Sequence, residues 1–219
     1  MAVGRRSGLP GPLLLVTDRL GHLRNDQALP LVETVAAFLD AGGSWVWFRD
    51  RDLPPDERRR LGERVAERVF AEGGTLTVGG DIDLAAQLGA DGVHLAGNQA
   101  DRIGQARERL GDGALIGISA HGAAELAATA AQGADYATLS PIFASASKPG
   151  YGPPLGLEAI RAAAATGLPV VALGGIAADT AGACRAAGAA ACAVMGALTA
   201  AADPAAETRL LLTAWHGAR

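Results

Sequence analysis

Three groups of residues in this chain have types and spacings suited to holding an anion. In the segment 140–156, the hydroxyls of Ser145 and Ser147 alternate with alanines and are followed by Lys148. Hydroxyls and an ammonium give charge-assisted hydrogen bonds to phosphate oxygens. Pro149, Gly150, Gly152, Pro153 and Pro154 then stiffen the loop. The second group is Gly174-Gly175 and Gly196, each directly after an apolar run. Bare backbone there lets an anion approach, because no Cβ intervenes, and the N-terminus of a following helix adds donors. The third is Arg49 and Arg51, whose forked donors suit a diphosphate. The plainer alternatives are a surface loop, tight turns, and arginines neutralised by Asp50 or Asp52. Glycines at two successive strand ends, with a Ser/Lys loop at a third, favour phosphate. His121 has the ordinary pKa nearest neutrality and suits a general acid or base; the alternative is a ring bonded to loop backbone. His94 lies inside an apolar run and reads as packed. His22 and His216 are assigned nothing.

These residues are carried by a repeating unit, a short apolar run followed by helical spacing. The runs are 13–17, 44–49, 75–78, 92–95, 114–118, 135–139, 169–173 and 191–195. Helical patterns occupy 29–41, 54–71, 84–88, 99–110, 123–132, 157–165, 180–187 and 204–215. The strands are apolar on both faces, as in a parallel sheet covered by helices. Eight such units predict a single-domain (β/α)8 TIM barrel over residues 12–219, with a doubly wound open sheet as the alternative. Chemistry in a barrel sits at the carboxyl ends of the strands. Those ends carry Arg49 and Arg51, Asp81, Ser119 and His121, the Ser145/Ser147/Lys148 loop, Gly174 and Gly175, and Met195 with Gly196.

Residues 1–11 are basic and rich in Gly and Pro, without the apolar core of a secretory signal, and are expected to be a disordered lead-in. The net charge of −4 does not favour nucleic acid or an anionic membrane as a partner. No run is apolar enough to span a bilayer. Cys184 and Cys192 form no metal-binding spacing and read as buried free thiols. A cytoplasmic protein is expected. The run 57–61, Glu-Arg-Arg-Arg-Leu, reads as the wet face of a helix, with Glu63 and Glu67 within reach of Arg59 and Arg64. The pattern leaves open whether the chain forms a homodimer.

The ordered set of motifs resembles a family. Val16-Thr17-Asp18, Phe48-Arg49-Asp50-Arg51, Gly89-Ala-Asp-Gly-Val-His-Leu95, Gly117-Ile-Ser-Ala-His121, Ser140-Pro-Ile-Phe143 with Lys148-Pro-Gly-Tyr-Gly152, and Ala172-Leu-Gly-Gly-Ile176 occur in the order seen in thiamine-phosphate synthases and the sister thiazole tautomerases. The resemblance runs from about Leu13 to Leu198. It implies a (β/α)8 barrel whose synthases join an aminopyrimidine diphosphate to a thiazole phosphate, with Mg²⁺, releasing pyrophosphate. It also implies roles for individual residues. Gly174, Gly175, Met195 and Gly196 match positions that hold the thiazole phosphate. Ser145 and Ser147 replace threonines, Lys148 matches a family lysine, and Ser119 matches a serine facing the diphosphate.

The pyrimidine half departs from the pattern. Trp47 stands for a glutamine, Asp50 for a glutamate and Arg51 for a lysine. Gly79-Gly80-Asp81 stands for Asn-Asp-Arg. Gln99 stands for a second metal-binding aspartate. Asp81 lies one place and Asp101 two places beyond the usual metal-binding positions, and they are the candidate substitutes. The resemblance therefore implies a synthase using Mg²⁺ through a degenerate diphosphate site, acting on a small phosphorylated heterocycle. The alternatives are a tautomerase-like isomerase with His121 as proton carrier, or a non-catalytic binder of a phosphorylated ligand.

Overall fold

The computed structural model describes residues 8–144 and 153–217. Eight parallel strands close into one barrel in chain order: β1 (Leu13–Val16), β2 (Trp45–Phe48), β3 (Thr75–Gly79), β4 (Gly92–Leu95), β5 (Leu115–Ala120), β6 (Tyr136–Leu139), β7 (Val170–Leu173) and β8 (Ala191–Val194). Closure is made by β8 on β1, with Leu14 opposite Ala193. The open-sheet alternative is thereby excluded. The strands are buried nearly throughout, which accounts for their lack of alternation.

The helices are α1 (Leu31–Asp40), α2 (Pro55–Ala71), α3 (Ile82–Gln87), α4 (Ile103–Leu110), α5 (Ala123–Ala131), α6 (Gly156–Ala164), α7 (Ala178–Ala186), α8 (Gly196–Thr199) and α9 (Pro204–Gly217). Pro55 opens α2 where a missing amide costs nothing, with Asp56 and Glu57 in the first turn. The helical run expected over 99–110 divides into a 3-10 turn at Gly97–Arg102 followed by α4, with a break at Gln99. The short helix α8 and a 3-10 turn at Gly21–Arg24 lack the length for a periodic signal.

Two apolar layers follow from the strand alternation. Outward-facing residues such as Leu15, Val46, Leu76 and Ile116 pack against the helices. Inward-facing Leu14, Val16, Trp45, Trp47, Leu115, Tyr136 and Val171 fill the barrel. Leu9 packs against this inner cluster, and Pro10 accepts a 3.0 Å bond from the Ser44 hydroxyl. The expected disordered lead-in is thus too long at its end, because Leu9 contributes to the barrel floor. Residues 1–7 lie outside the described part. Cys184 and Cys192 are buried and free. No helix among the described residues is long and apolar enough to cross a membrane.

Candidate active site

The ends of β1 and β2 are joined by a polar lock. The Thr17 hydroxyl donates to Asp50 at 2.5 Å and accepts from the Arg49 amide at 2.8 Å. Asp50, 3% exposed, also accepts from the Arg19 amide at 2.8 Å. Arg19 reaches Asp52 at 2.7 Å. The acids flanking the two strand-two arginines are therefore taken by Thr17 and Arg19. No carboxylate among the described residues lies within ion-pair distance of the Arg49 or Arg51 guanidinium. Both side chains line the barrel mouth. Partial desolvation, then the like charges of Arg49 and Arg58, lower the Arg51 guanidinium from its ordinary value.

Arg58 overturns the reading of residues 57–61 as wholly wet. It is buried, and it runs under the ends of two strands. It donates to the Gly79 carbonyl at 2.8 Å and the Arg49 carbonyl at 3.4 Å, and pairs with Asp81 at 3.1 Å. Its guanidinium carbon lies 5.8 Å from the centre of the Phe48 ring. The signal was present in the sequence. Arg58 falls in helical phase with Gly62, Val65, Ala66 and Val69, the buried stripe of α2. Arg59 behaves as expected, pairing with Glu63 at 2.6 Å.

Each oxygen of Asp81 already accepts a bond. One carboxylate oxygen caps α3 by accepting from the Leu84 amide at 2.9 Å, and the other meets Arg58. Asp101 is exposed on the 3-10 turn. No cluster of three or more His, Cys, Asp or Glu among the described residues is arranged to hold a metal ion. A magnesium ion needs carboxylates that are free to turn toward it. The donors present do not fit one at the ends of β3 and β4. Gly80 takes a left-handed backbone with φ +71°. A Cβ there would lie 3.6 Å from Gln99 Oε1 and 3.7 Å from Arg51 Nη1.

The floor beneath is aromatic. The Trp47 ring lies over His94 with centroids 3.9 Å apart, and Trp45 meets Tyr136 edge-on at 4.8 Å. His94 Nδ1 lies 3.0 Å from the Tyr136 hydroxyl. Its Nε2 lies 3.1 Å from Ser119 Oγ and 3.3 Å from Thr138 Oγ1. Burial, then the Arg51 charge, push the His94 imidazole down to about 3, so the ring is neutral. The packed role expected for His94 holds, with an addition: it positions Ser119 at the cavity wall. Trp47 and Gly79 are matched in size, since a Cβ on residue 79 would come within 2.8 Å of the indole nitrogen. That nitrogen is buried without a hydrogen-bond partner among the described residues.

Gly174 and Gly175 form the opposite wall, with φ of +96° and +66°. A Cβ on Gly174 would lie 2.9 Å from Pro141 Cα, and one on Gly175 would lie 2.7 Å from Phe143 Cβ. Side chains are thus excluded by both conformation and space. The chain before the Ser/Lys loop is bonded onto this wall, Ile142 to the Leu173 carbonyl and Phe143 to the Gly174 carbonyl, each at 2.9 Å. The chain after it returns through Leu155, bonded to the Pro141 carbonyl at 2.8 Å. Ser145, Ser147 and Lys148 lie outside the described residues. His121 is exposed, with Nδ1 2.8 Å from the Ser140 carbonyl. A carbonyl only accepts, so Nδ1 carries the proton and a neutral ring has its lone pair on Nε2. The ring is therefore bonded to loop backbone, as the plainer reading of this histidine expects, and it also lines the cavity.

One cavity of about 1190 Å³ joins these walls. Arg49, Arg51, Ser119, His121, Gly174, Gly175, Met195 and Gly196 all line it. Asp81 and Asp101 do not. Sequence spacing placed the eight lining residues at strand ends, and barrel closure brings them together.

The comparisons with known proteins agree with this architecture. A family described as thiamine monophosphate synthase matches residues 13–198. The thiamine-phosphate synthase of Moorella thermoacetica is 36% identical over 90% of this chain and 92% of its own length. That of Chromobacterium violaceum is 42% identical over 86% of this chain and 90% of its own. Among solved structures, thiamine phosphate pyrophosphorylase from Pyrococcus furiosus superposes with a TM-score of 0.80 at 26% identity, covering 94% of this chain and 96% of that one. A closed barrel with these strand-end residues, matched along nearly its whole length, makes the chain a member of the thiamine monophosphate synthase family.

Proposed function

We propose that this chain is a thiamine-phosphate-synthase-like transferase that joins an aminopyrimidine diphosphate to a thiazole phosphate. The observation that carries this reading is the single cavity lined by two groups of residues whose chemistry suits anions. Arg49 and Arg51 stand at β2, and Gly174, Gly175 and Gly196 line the same mouth at β7 and β8, on the other side of β1. An isomerase acting on one phosphorylated ring needs one such group, whereas a condensation of two phosphorylated reactants needs both. Holding the partners together removes the entropy of their encounter from the reaction barrier.

In the reaction, the bond between the pyrimidine methylene carbon and the diphosphate oxygen breaks, and the thiazole nitrogen bonds to that carbon. Pyrophosphate leaves with the electron pair. The two guanidinium groups meet the charge that grows on the departing oxygens. In the tautomer with the proton on Nε2, His94 donates to Ser119 Oγ and leaves the Ser119 hydroxyl hydrogen for the diphosphate. Gly174, Gly175 and Gly196 keep the thiazole phosphate fixed while the nitrogen approaches. The donor set for Mg²⁺ does not fit, so no step is assigned to a metal. Lys148, Ser145 and Ser147 belong to this proposal through the resemblance alone.

A second reading, an isomerase acting on the thiazole phosphate, is favoured by one feature. Trp47 and Gly79 replace polar side chains on the pyrimidine side, while His121 lines the cavity with its ring oriented by Ser140. The deciding assay mixes both substrates with the full chain and follows thiamine phosphate by chromatography. Thiamine phosphate with an equal amount of pyrophosphate is the expected result. If none forms at saturating substrate, the transferase reading falls. Conversion of the thiazole phosphate alone, lost in His121→Ala, then establishes the isomerase.

A further inference from the structure

We infer that the Arg51 guanidinium stands in for the divalent cation, and that this chain binds a diphosphate group through Arg51 and Arg49 without a metal ion. The inference rests on the transferase reading for the identity of the diphosphate ligand. It rests on the resemblance for where metal-binding carboxylates would stand, and on geometry for the rest.

The two positions where the resemblance places metal-binding carboxylates are Gly80 and Gln99. They converge on one spot, since a Cβ at residue 80 would lie 3.6 Å from Gln99 Oε1. Neither residue supplies a carboxylate. The same Cβ would lie 3.7 Å from Arg51 Nη1, so a guanidinium occupies the edge of the space those carboxylates would enclose. The left-handed backbone of Gly80 and its missing side chain leave room for it. A divalent cation placed beside this group would be repelled by it.

The displaced carboxylate is already engaged elsewhere. Both oxygens of Asp81 are in use, one on the Leu84 amide and one on Arg58. Releasing Asp81 to a metal would strip a buried guanidinium of its counter-ion, which is costly. The acids on either side of Arg51 are equally committed, Asp50 to Thr17 and the Arg19 amide, and Asp52 to Arg19. The cations at β2 are thus left for an external anion. A forked guanidinium can grip two oxygens of a diphosphate at once.

The probe is inorganic pyrophosphate, titrated into the full chain by calorimetry in EDTA and again in excess Mg²⁺. The expected dissociation constants agree within about twofold. Arg51→Gln is expected to weaken binding by about 10- to 100-fold, the usual worth of a charge-assisted bond, with Arg51→Lys recovering part of the loss. Arg51 is exposed, so an unchanged melting temperature confirms that the variants fold. Binding that appears only with Mg²⁺ overturns the inference. So does undiminished binding by Arg51→Gln, or no binding in either buffer. The turnover assay is a separate readout. Pyrophosphate binding in EDTA without product would overturn the transferase reading and leave this inference standing, whereas product that requires Mg²⁺ would do the reverse.

Discussion

At the scale of single residues, the site is built around a histidine that does not titrate in the ordinary range. His94 is 1% exposed and surrounded by Trp47, Tyr136, Ser119 and Thr138. Its folded pKa near 3 lies below the ordinary 6.5. Between those values the unfolded chain holds a proton that the folded chain does not, so stability rises with pH. The contribution is complete above the unfolded value and is lost as pH falls from about 6.5 toward about 3, by at most about 1.4 kcal/mol per pH unit. Ring-carbon chemical shifts followed by NMR check this. We predict that the His94 signal stays at its neutral position down to about pH 4. A midpoint near the ordinary histidine value would contradict the packing described. This role was partly legible in the sequence, because a histidine inside an apolar strand reads as packed. Its partners were not legible, since they come from β5 and β6 and meet it only when the barrel closes.

At the scale of elements, α2 determines how the second and third strand ends are arranged. Arg58 ties the carbonyls of Arg49 and Gly79 to Asp81 from beneath. Removing its side chain takes a donor from the buried Gly79 carbonyl, the part-buried Arg49 carbonyl and the Asp81 carboxylate. Arg58→Ala is expected to lower unfolding free energy by about 2–4 kcal/mol in urea titration. It is also expected to weaken pyrophosphate binding, because the Arg49 backbone loses one of its two anchors and keeps only the Thr17 hydroxyl. A change below about 0.5 kcal/mol would class Arg58 with ordinary surface arginines. A run of three arginines on a helix reads as solvated because composition dominates the impression. The phase of Arg58 with Gly62, Val65 and Val69 carried the contrary information. The boundaries of most strands and helices were legible to within one or two residues, because glycine and proline punctuate them. The split of the 97–110 segment was not, since Gln99 leaves the helical conformation to bond the Ala96 amide, a local capping bond with no periodic signature.

At the scale of the whole molecule, eight apolar runs with intervening helices were sufficient to specify a barrel, and the barrel places every strand end on one face. The candidate anion-binding residues of β2 stand more than a hundred positions before those of β7 and β8 in the chain, yet all of them line one cavity. Residue types and spacing marked them as candidates, and barrel closure brings them together. Two phosphorylated groups are expected to occupy this space at once, which titration of thiazole phosphate into the chain already saturated with pyrophosphate checks. We predict that one equivalent binds with the affinity measured for the free chain, or a tighter one, while pyrophosphate remains in place. Displacement of pyrophosphate by thiazole phosphate in simple competition would contradict the claim, and would reduce the two walls to a single anion site.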